Sequence, residues 1–165
     1  MNSVLWFIIF FIPAYVANMS PVFVRKINFL DNPLDGGMTW NGKPLFGKNK
    51  TWRGLIFGTI MGGIAGAVMQ WLNLPFVWWW GFVLGFAALV GDALKSMFKR
   101  QVGIRPGGSW MPFDQLDFII VAYIASLFFI RFSWQTTLLG FIIIFVGDVC
   151  VQFIGAKTKL KADSL

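Results

Sequence analysis

Residues 54–74 carry no charged side chain. A run of that length is what an α-helix needs to cross a bilayer core roughly 30 Å thick. The rest of the chain offers no soluble way of hiding it. Of the 165 residues 57% are hydrophobic and only 13% charged, and a domain this small keeps too much of itself at its boundary to bury so much apolar surface in water. Four further apolar runs, at 4–24, 76–94, 114–131 and 134–156, predict an all-α polytopic membrane protein with about five transmembrane helices in a single domain, 1–165. Pro13 and Pro21 interrupt the first run. It lacks a basic leading segment and a small-residue cleavage site, so it reads as a retained span and not a removed leader. The fourth run is short unless its ends snorkel.

Basic residues set the expected orientation. Loop 25–53 holds Arg25, Lys26, Lys43, Lys48, Lys50 and Arg53; loop 95–113 holds Lys95, Lys99, Arg100 and Arg105; the tail holds Lys157, Lys159 and Lys161. The other side has Arg131, and the turn at 73–75 has no base. The positive-inside rule therefore places the N-terminus outside and both long loops and the C-terminus in the cytoplasm of an integral protein of the cytoplasmic membrane.

The same composition removes several functions. The net charge of +7 suits anionic headgroups or phosphates, and with cations divided among short loops and no base-reading module, nucleic acid is not an expected partner. There is no histidine, so a Ser-His-Asp scheme and a histidine general base are out. The lone Cys150, in an apolar run, reads as a packing residue. Gly58, Gly62 and Gly66, then Gly81 and Gly85, recur every four residues. That spacing lets membrane helices approach closely, here within one protomer; a homo-oligomer face is the other use it could have.

Chemistry concentrates in 91–117, GDALKSMFKRQVGIRPGGSWMPFDQLD, between two apolar runs. Asp92, Ser96 and Lys99 fall at i, i+4 and i+7, and Asp114 and Asp117 at i and i+3, so each set shares a helix face. Two acid-bearing helix ends joined by a loop can bring three carboxylates to one point. Acids near a membrane are expensive, and carboxylates without histidine or cysteine select hard cations such as Mg2+. Taken alone, Asp92 could equally be a buried acid paired with Lys95 or Lys99. The bend Pro106-Gly107-Gly108, preceded by Lys99, Arg100 and Arg105, lets backbone amides approach an anion. Loop one adds the turn-forming stretch 31–37 and then GKNKTWRG at 47–54, with Lys48, Lys50, Thr51 and Arg53. It has a phosphate loop's cations and hydroxyl without the upstream glycine or the strand of a Walker A. A basic interface anchor with Trp52 at headgroup depth is the alternative.

Ser96-Met97-Phe98-Lys99-Arg100 followed by Asp114-Gln115-Leu116-Asp117 resembles the SxxKR…DRxD pattern of phosphatidate cytidylyltransferases, the CDP-diacylglycerol synthases. The chain is still more similar to their small relatives, the CDP-archaeol synthases, through the DGG turn at 35–37, GKNKTWRG at 47–54, GDALKSMFKR at 91–100 and PFDQLD at 112–117. Ser109-Trp110-Met111-Pro112 stands where the larger enzymes carry a HisGlyGly element, and Gln115 stands where they carry Arg. Both departures point to the archaeol branch. Gly147-Asp148 echoes Gly91-Asp92 outside the pattern.

The resemblance implies a reaction in which CTP and a phosphorylated membrane lipid give a CDP-lipid and pyrophosphate. The implied lipid is 2,3-di-O-geranylgeranylglyceryl phosphate, with phosphatidate as the alternative. It implies Asp92, Asp114 and Asp117 as magnesium ligands, with Ser96 and Lys99 completing the catalytic set. Lys48, Lys50, Thr51, Arg53, Arg100 and Arg105 would meet CTP or lipid phosphate. CTP would arrive from the cytoplasm and the lipid sideways from the bilayer, so the two cytoplasmic loops form one active site. Competing classes are a CDP-alcohol phosphotransferase, whose DGxxAR motif is missing; a small transporter, which Asp148 in the fifth run would suit; and a non-catalytic scaffold.

Overall fold

A computed structural model of the chain describes the backbone of residues 2–25, 27–105, 108, 110–111 and 113–157, and side chains through 150. Helices form where the five apolar runs lie, with informative differences at their ends. The first run breaks into α1 (Ser3–Phe10) and α2 (Ile12–Met19), then a 3-10 turn over Ser20–Val22. The break falls at Phe11 because Pro13 has no N–H to give and its ring crowds the carbonyl one turn back. α3 is Trp52–Trp71, α4 Trp80–Gln101, α5 Phe113–Ser126 and α6 Trp134–Lys157. The stretches Ser3–Val22, Trp52–Trp71 and Trp80–Gln101 are long and apolar enough to cross a membrane, and Trp134–Cys150 is a shorter apolar helix.

Two boundaries depart from the sequence reading. α4 starts at Trp80, after Pro75 and a turn, and not near 76. It runs on to Gln101, so the first seven residues of the expected loop 95–113 are helical. Loop one also contains a hairpin, β1 (Thr39–Trp40) paired antiparallel with β2 (Lys43–Pro44). Asn41 and Gly42 between them both have positive φ, as a tight two-residue hairpin turn requires.

The chain divides into two compact units, one from Ile9 to Arg131 and one joining the start of the chain, to Ile8, with the chain from Phe132 onward. In the second of these, Phe7 is fully buried and meets Phe132 edge-on at 4.9 Å between ring centres; Gly140 lies against the Phe7 ring, where a Cβ has no room. Asp148 lies in this unit on α6, partly buried. Cys150, expected to pack, is exposed.

The first unit carries the polar loops. Its core is Phe10, Phe11, Ala14, Ala17, Leu84, Ala88, Phe118, Ile119 and Ala122. α3 and α4 meet through their glycines: a Cβ on Gly62 would lie 2.7 Å from Gly81 O and 3.0 Å from Gly85 Cα, and one on Gly66 3.0 Å from Gly81 Cα. The glycine spacing thus serves packing within the protomer, as the sequence suggests. The other side of α3 turns Ile56, Ile60, Ile64 and Val68 outward, an apolar face suited to lipid. At the far end of the helix pair, Phe10, Phe76, Trp80 and Phe129 form an aromatic cluster. At the near end sit loop one and the polar end of α4.

Candidate active site

The polar end is assembled by backbone before any side chain acts. Residues 30–34 fold back along 50–53 through Leu34 N–H to Lys50 O (2.7 Å), Trp52 N–H to Asn32 O (3.1 Å) and Arg53 N–H to Leu30 O (2.9 Å). Asp35, 3% exposed, closes the remaining turn: its carboxylate accepts the backbone N–H groups of Gly37 (3.0 Å), Phe46 (2.8 Å) and Gly47 (3.1 Å). Burial works against its charged form, but these amides outweigh burial and hold the Asp35 carboxyl below the usual carboxylate value. Gly47 takes φ +89°, with Arg100 Nε 3.4 Å from where a Cβ would stand. Only glycine sits there without strain.

From that loop Lys50 reaches Asp92 on α4 and forms an ion pair with its Oδ2. Asp92 is one of three acids gathered around a single ammonium. Lys95 Nζ lies 3.3 Å from Asp92 Oδ1, 3.4 Å from Asp114 Oδ1 and 2.8 Å from Asp117 Oδ2. Lys99 Nζ donates to Asp114 Oδ1 at 2.9 Å, and Trp110 N–H to Asp114 Oδ2 at 2.5 Å. Ser96 Oγ donates to the Asp92 carbonyl one turn back, at 2.9 Å. The two helices can come this close because residue 91 is glycine: a Cβ there would lie 2.5 Å from Asp117 O.

Beside this cluster lies a cavity of about 620 Å3, within the range that holds a small-molecule ligand. Six cations stand on its wall, Lys43, Lys48, Lys50, Lys95, Lys99 and Arg100, and among the described residues Asp92 is its one acid. Lys43 Nζ donates to Gln101 O at 2.6 Å, and Arg100 Nη1 to Ile104 O at 2.5 Å. Carbonyls orient these cations without cancelling their charge. A smaller recess of about 40 Å3 shares Asn49, Lys50 and Asp92 with the cavity and is otherwise walled by Pro21, Leu34, Leu55 and Leu89 among others.

The predicted residues therefore divide. Asp92, Ser96, Lys99, Lys48, Lys50 and Arg100 line the cavity, and Asp114 and Asp117 stand behind it on Lys95. Thr51 and Arg53 take part in building loop one, and Thr51 also lines the smaller recess. Thr51 Oγ1 caps α3 by accepting from Gly54 N–H at 3.2 Å. Arg53 holds Asp31 at 2.6 Å and donates to the Ile27 carbonyl. Arg105 is exposed and is not among the cavity-lining residues. Pro106, Gly107, Ser109 and Pro112 lie outside the described residues, as do Lys26, Lys159 and Lys161. Sequence reasoning missed the centrality of Lys95, which the i, i+3 spacing from Asp92 suggested only as a local partner. It missed Lys43 too, whose contact with Gln101 no spacing could reveal.

Known proteins resemble this chain in sequence and in fold. A family model described as CarS-like: CDP-archaeol synthase matches residues 1–163. The chain is 40% identical over 129 residues to a CDP-archaeol synthase of Thermococcus onnurineus, covering 74% of each chain. It is 30% identical over 165 residues to one of Halorubrum lacusprofundi, covering 93% of this chain and 89% of that one. A solved structure of an intramembrane enzyme for archaeal membrane lipids biosynthesis superposes with a TM-score of 0.81 at 26% identity, over 91% of this chain and 94% of that one.

Proposed function

Because the chain belongs to the CarS-like CDP-archaeol synthase family, we propose that it transfers the cytidylyl group of CTP to a lipid phosphate in archaeal membrane-lipid synthesis, at the site between loop one and α4. The observation that carries this assignment is the cavity of about 620 Å3 whose wall holds six cations and abuts three carboxylates.

The chemistry asks little of the protein in proton transfer. An oxygen of the lipid phosphate attacks the α-phosphorus of CTP. The bond from that phosphorus to the α–β bridging oxygen breaks, and pyrophosphate leaves with the electron pair. The nucleophile is already an anion, so no general base is required, in keeping with a chain that has no histidine. What must be overcome is repulsion between two phosphates and the charge accumulating on the leaving group, which fixed cations accomplish by position and electrostatics. Lys48, Lys50 and Arg100 are assigned to the nucleotide phosphates, and Lys99 to holding Asp114 beside them. Lys50 also borders the recess walled by Pro21, Leu34, Leu55 and Leu89. That position lets Lys50 meet a lipid phosphate arriving from the bilayer. The preferred lipid is 2,3-di-O-geranylgeranylglyceryl phosphate. The cytoplasmic placement of both loops, with the N-terminus outside, belongs to the same proposal.

The residues fit Mg2+. Carboxylate oxygens are its donor set, and Asp117, 5% exposed, has an Oδ1 with no hydrogen-bond partner among the described residues. No group of three metal-binding side chains among the described residues is close enough to hold an ion unaided, which suits a metal that takes one or two carboxylates and completes its shell on substrate phosphates. Asp92, Asp114 and Asp117 are the acids from which those one or two carboxylates would come, and when bound the ion would supply charge stabilisation to the phosphates.

The test is direct. Purified protein with Mg2+, labelled CTP and a panel of lipid phosphates is expected to form CDP-lipid, with the geranylgeranyl ether phosphate preferred over phosphatidate. Lipid-independent CTP loss, or none, would remove the reading. Retention of most activity by Asp114→Ala would remove the metal role of that residue.

A further inference from the structure

Lys95 is the one group that touches all three acids, and the cytidylyl-transfer reading gives it no role. Its ammonium lies 3.3, 3.4 and 2.8 Å from Asp92, Asp114 and Asp117, in the place where a hard cation would draw on those same oxygens. Its side chain is 14% exposed and Asp117's is 5% exposed. Asp117 Oδ1 has no hydrogen-bond partner among the described residues, and Oδ2 rests on the Lys95 ammonium. Two neighbours share the load unevenly: Lys50 pairs with Asp92 and Lys99 with Asp114, while Asp117's only described ion pair is with Lys95.

We propose that Lys95 is a resident counter-cation that holds the three carboxylates in place and keeps a divalent metal from binding them until nucleotide phosphates arrive. The physical argument is one of exclusion. Three acids this close repel one another strongly and need a cation to stay ionised together. A tethered ammonium satisfies that need at high effective concentration, and a metal must compete with it. Alone, Mg2+ gives up bound water reluctantly for so few free carboxylate oxygens. Brought with CTP, it gains phosphate ligands, and Lys95 can swing toward the cavity it already lines. Metal and nucleotide therefore enter together, and Lys95 acts as a positioning residue.

The inference rests on the metal-dependent reading above, and the experiment separates the two. Free Mn2+ is measured by electron paramagnetic resonance over purified protein, with and without CTP, with CTP-only controls and no lipid. Wild-type protein is expected to take up Mn2+ weakly alone and strongly with CTP. Lys95→Met is expected to bind Mn2+ without CTP at least about 10-fold more tightly than wild type, since a unit charge has left its neighbourhood. Lys95→Arg is expected to behave as wild type, and Lys95→Gln carries the comparison if the methionine variant does not fold. CTP-dependent Mn2+ uptake by wild type with no gain in the neutral variants would overturn the role of Lys95 alone. No uptake by wild type even with CTP would remove the metal reading and this inference with it.

Discussion

Gly91 is where the fold and the chemistry can be separated with one methyl group. A Cβ at this position would lie 2.5 Å from Asp117 O and 3.0 Å from Val121 Cγ2. The first contact falls short of an ordinary 3.4 Å separation by about 0.9 Å, and its partner is backbone, which cannot rotate away. Gly91→Ala must therefore push the start of α5 off α4 by about that distance. The displacement acts directly on the Lys95–Asp117 contact, now 2.8 Å. Overpacking of this kind costs about 1–3 kcal/mol of stability, while misplacement of a catalytic constellation by roughly 1 Å costs up to about 100-fold in rate. The atoms nearest the added methyl all belong to α5 and none to loop one. The loss should therefore appear in kcat, about 10- to 100-fold, with KM for CTP changed by less than about 3-fold. Steady-state cytidylyl transfer gives both constants, and thermal unfolding in detergent gives the stability change. Gly147→Ala, with nothing among the described residues within 4 Å of its added methyl, is the control and should match wild type. Wild-type kcat in Gly91→Ala would refute the claim that the α4–α5 approach sets the site.

Two further outcomes follow from loop one. Asp35 titrates below its unfolded value because of the amides of Phe46, Gly37 and Gly47. The order it gives the loop is therefore complete above about pH 4 and lost as pH falls through its lowered folded value. Hydrogen exchange at Phe46 and Gly47, corrected for intrinsic rates, should show protection falling only in that acid window. At neutral pH Asp35→Asn should lose about 1–3 kcal/mol of that protection, and undiminished protection would count against it. Lys43→Met removes the tie from the hairpin to Gln101 O; a surface bond of this sort is worth about 1 kcal/mol or less. KM for CTP should therefore rise roughly 3- to 5-fold, with kcat held, and a fall in kcat alone would argue for a different function of Lys43.

Much of this arrangement can be read from the sequence, for reasons that differ by residue. Gly62, Gly66, Gly81 and Gly85 announce a close helix contact because small residues at four-residue spacing have one main use in a membrane. Asp92, Ser96 and Lys99 can be put on one face because helical periodicity is local. The end of α4 is harder to read. Hydropathy drops at Asp92 while the helix continues to Gln101, since Lys95 and Lys99 are held by acids of α5 that no local window contains. Arg53 shows the opposite failure. Its place beside Lys50 and Thr51 makes it look like a phosphate ligand, yet its first-turn position on α3 aims it at Asp31 and Ile27. Asp35 looks like one more turn residue, and its three amide partners arrive from ten or more residues away as well as from beside it.

The charges at the site fall into two groups that must be kept apart in any account of catalysis. Lys50, Lys95 and Lys99 pair with Asp92, Asp114 and Asp117, a balanced set of the kind that lets ionised groups persist at a low-dielectric boundary. Lys43 and Arg100 bond only to carbonyls among the interactions described, so their charge stays uncancelled at the cavity wall beside Lys48. A nucleotide triphosphate meets the second group first, and of the balanced set only Lys50 and Lys95, which line the same cavity, need turn from their carboxylates toward it. Transfer then places more charge on the departing pyrophosphate than its oxygens carried within CTP, on the side where uncompensated cations are concentrated. Stabilisation that grows as the bond breaks is stabilisation of the transition state over the ground state. It follows that neutralising Lys48 or Arg100 should depress kcat as well as raise KM, whereas loss of Lys43, which is tethered at the rim, should act through KM.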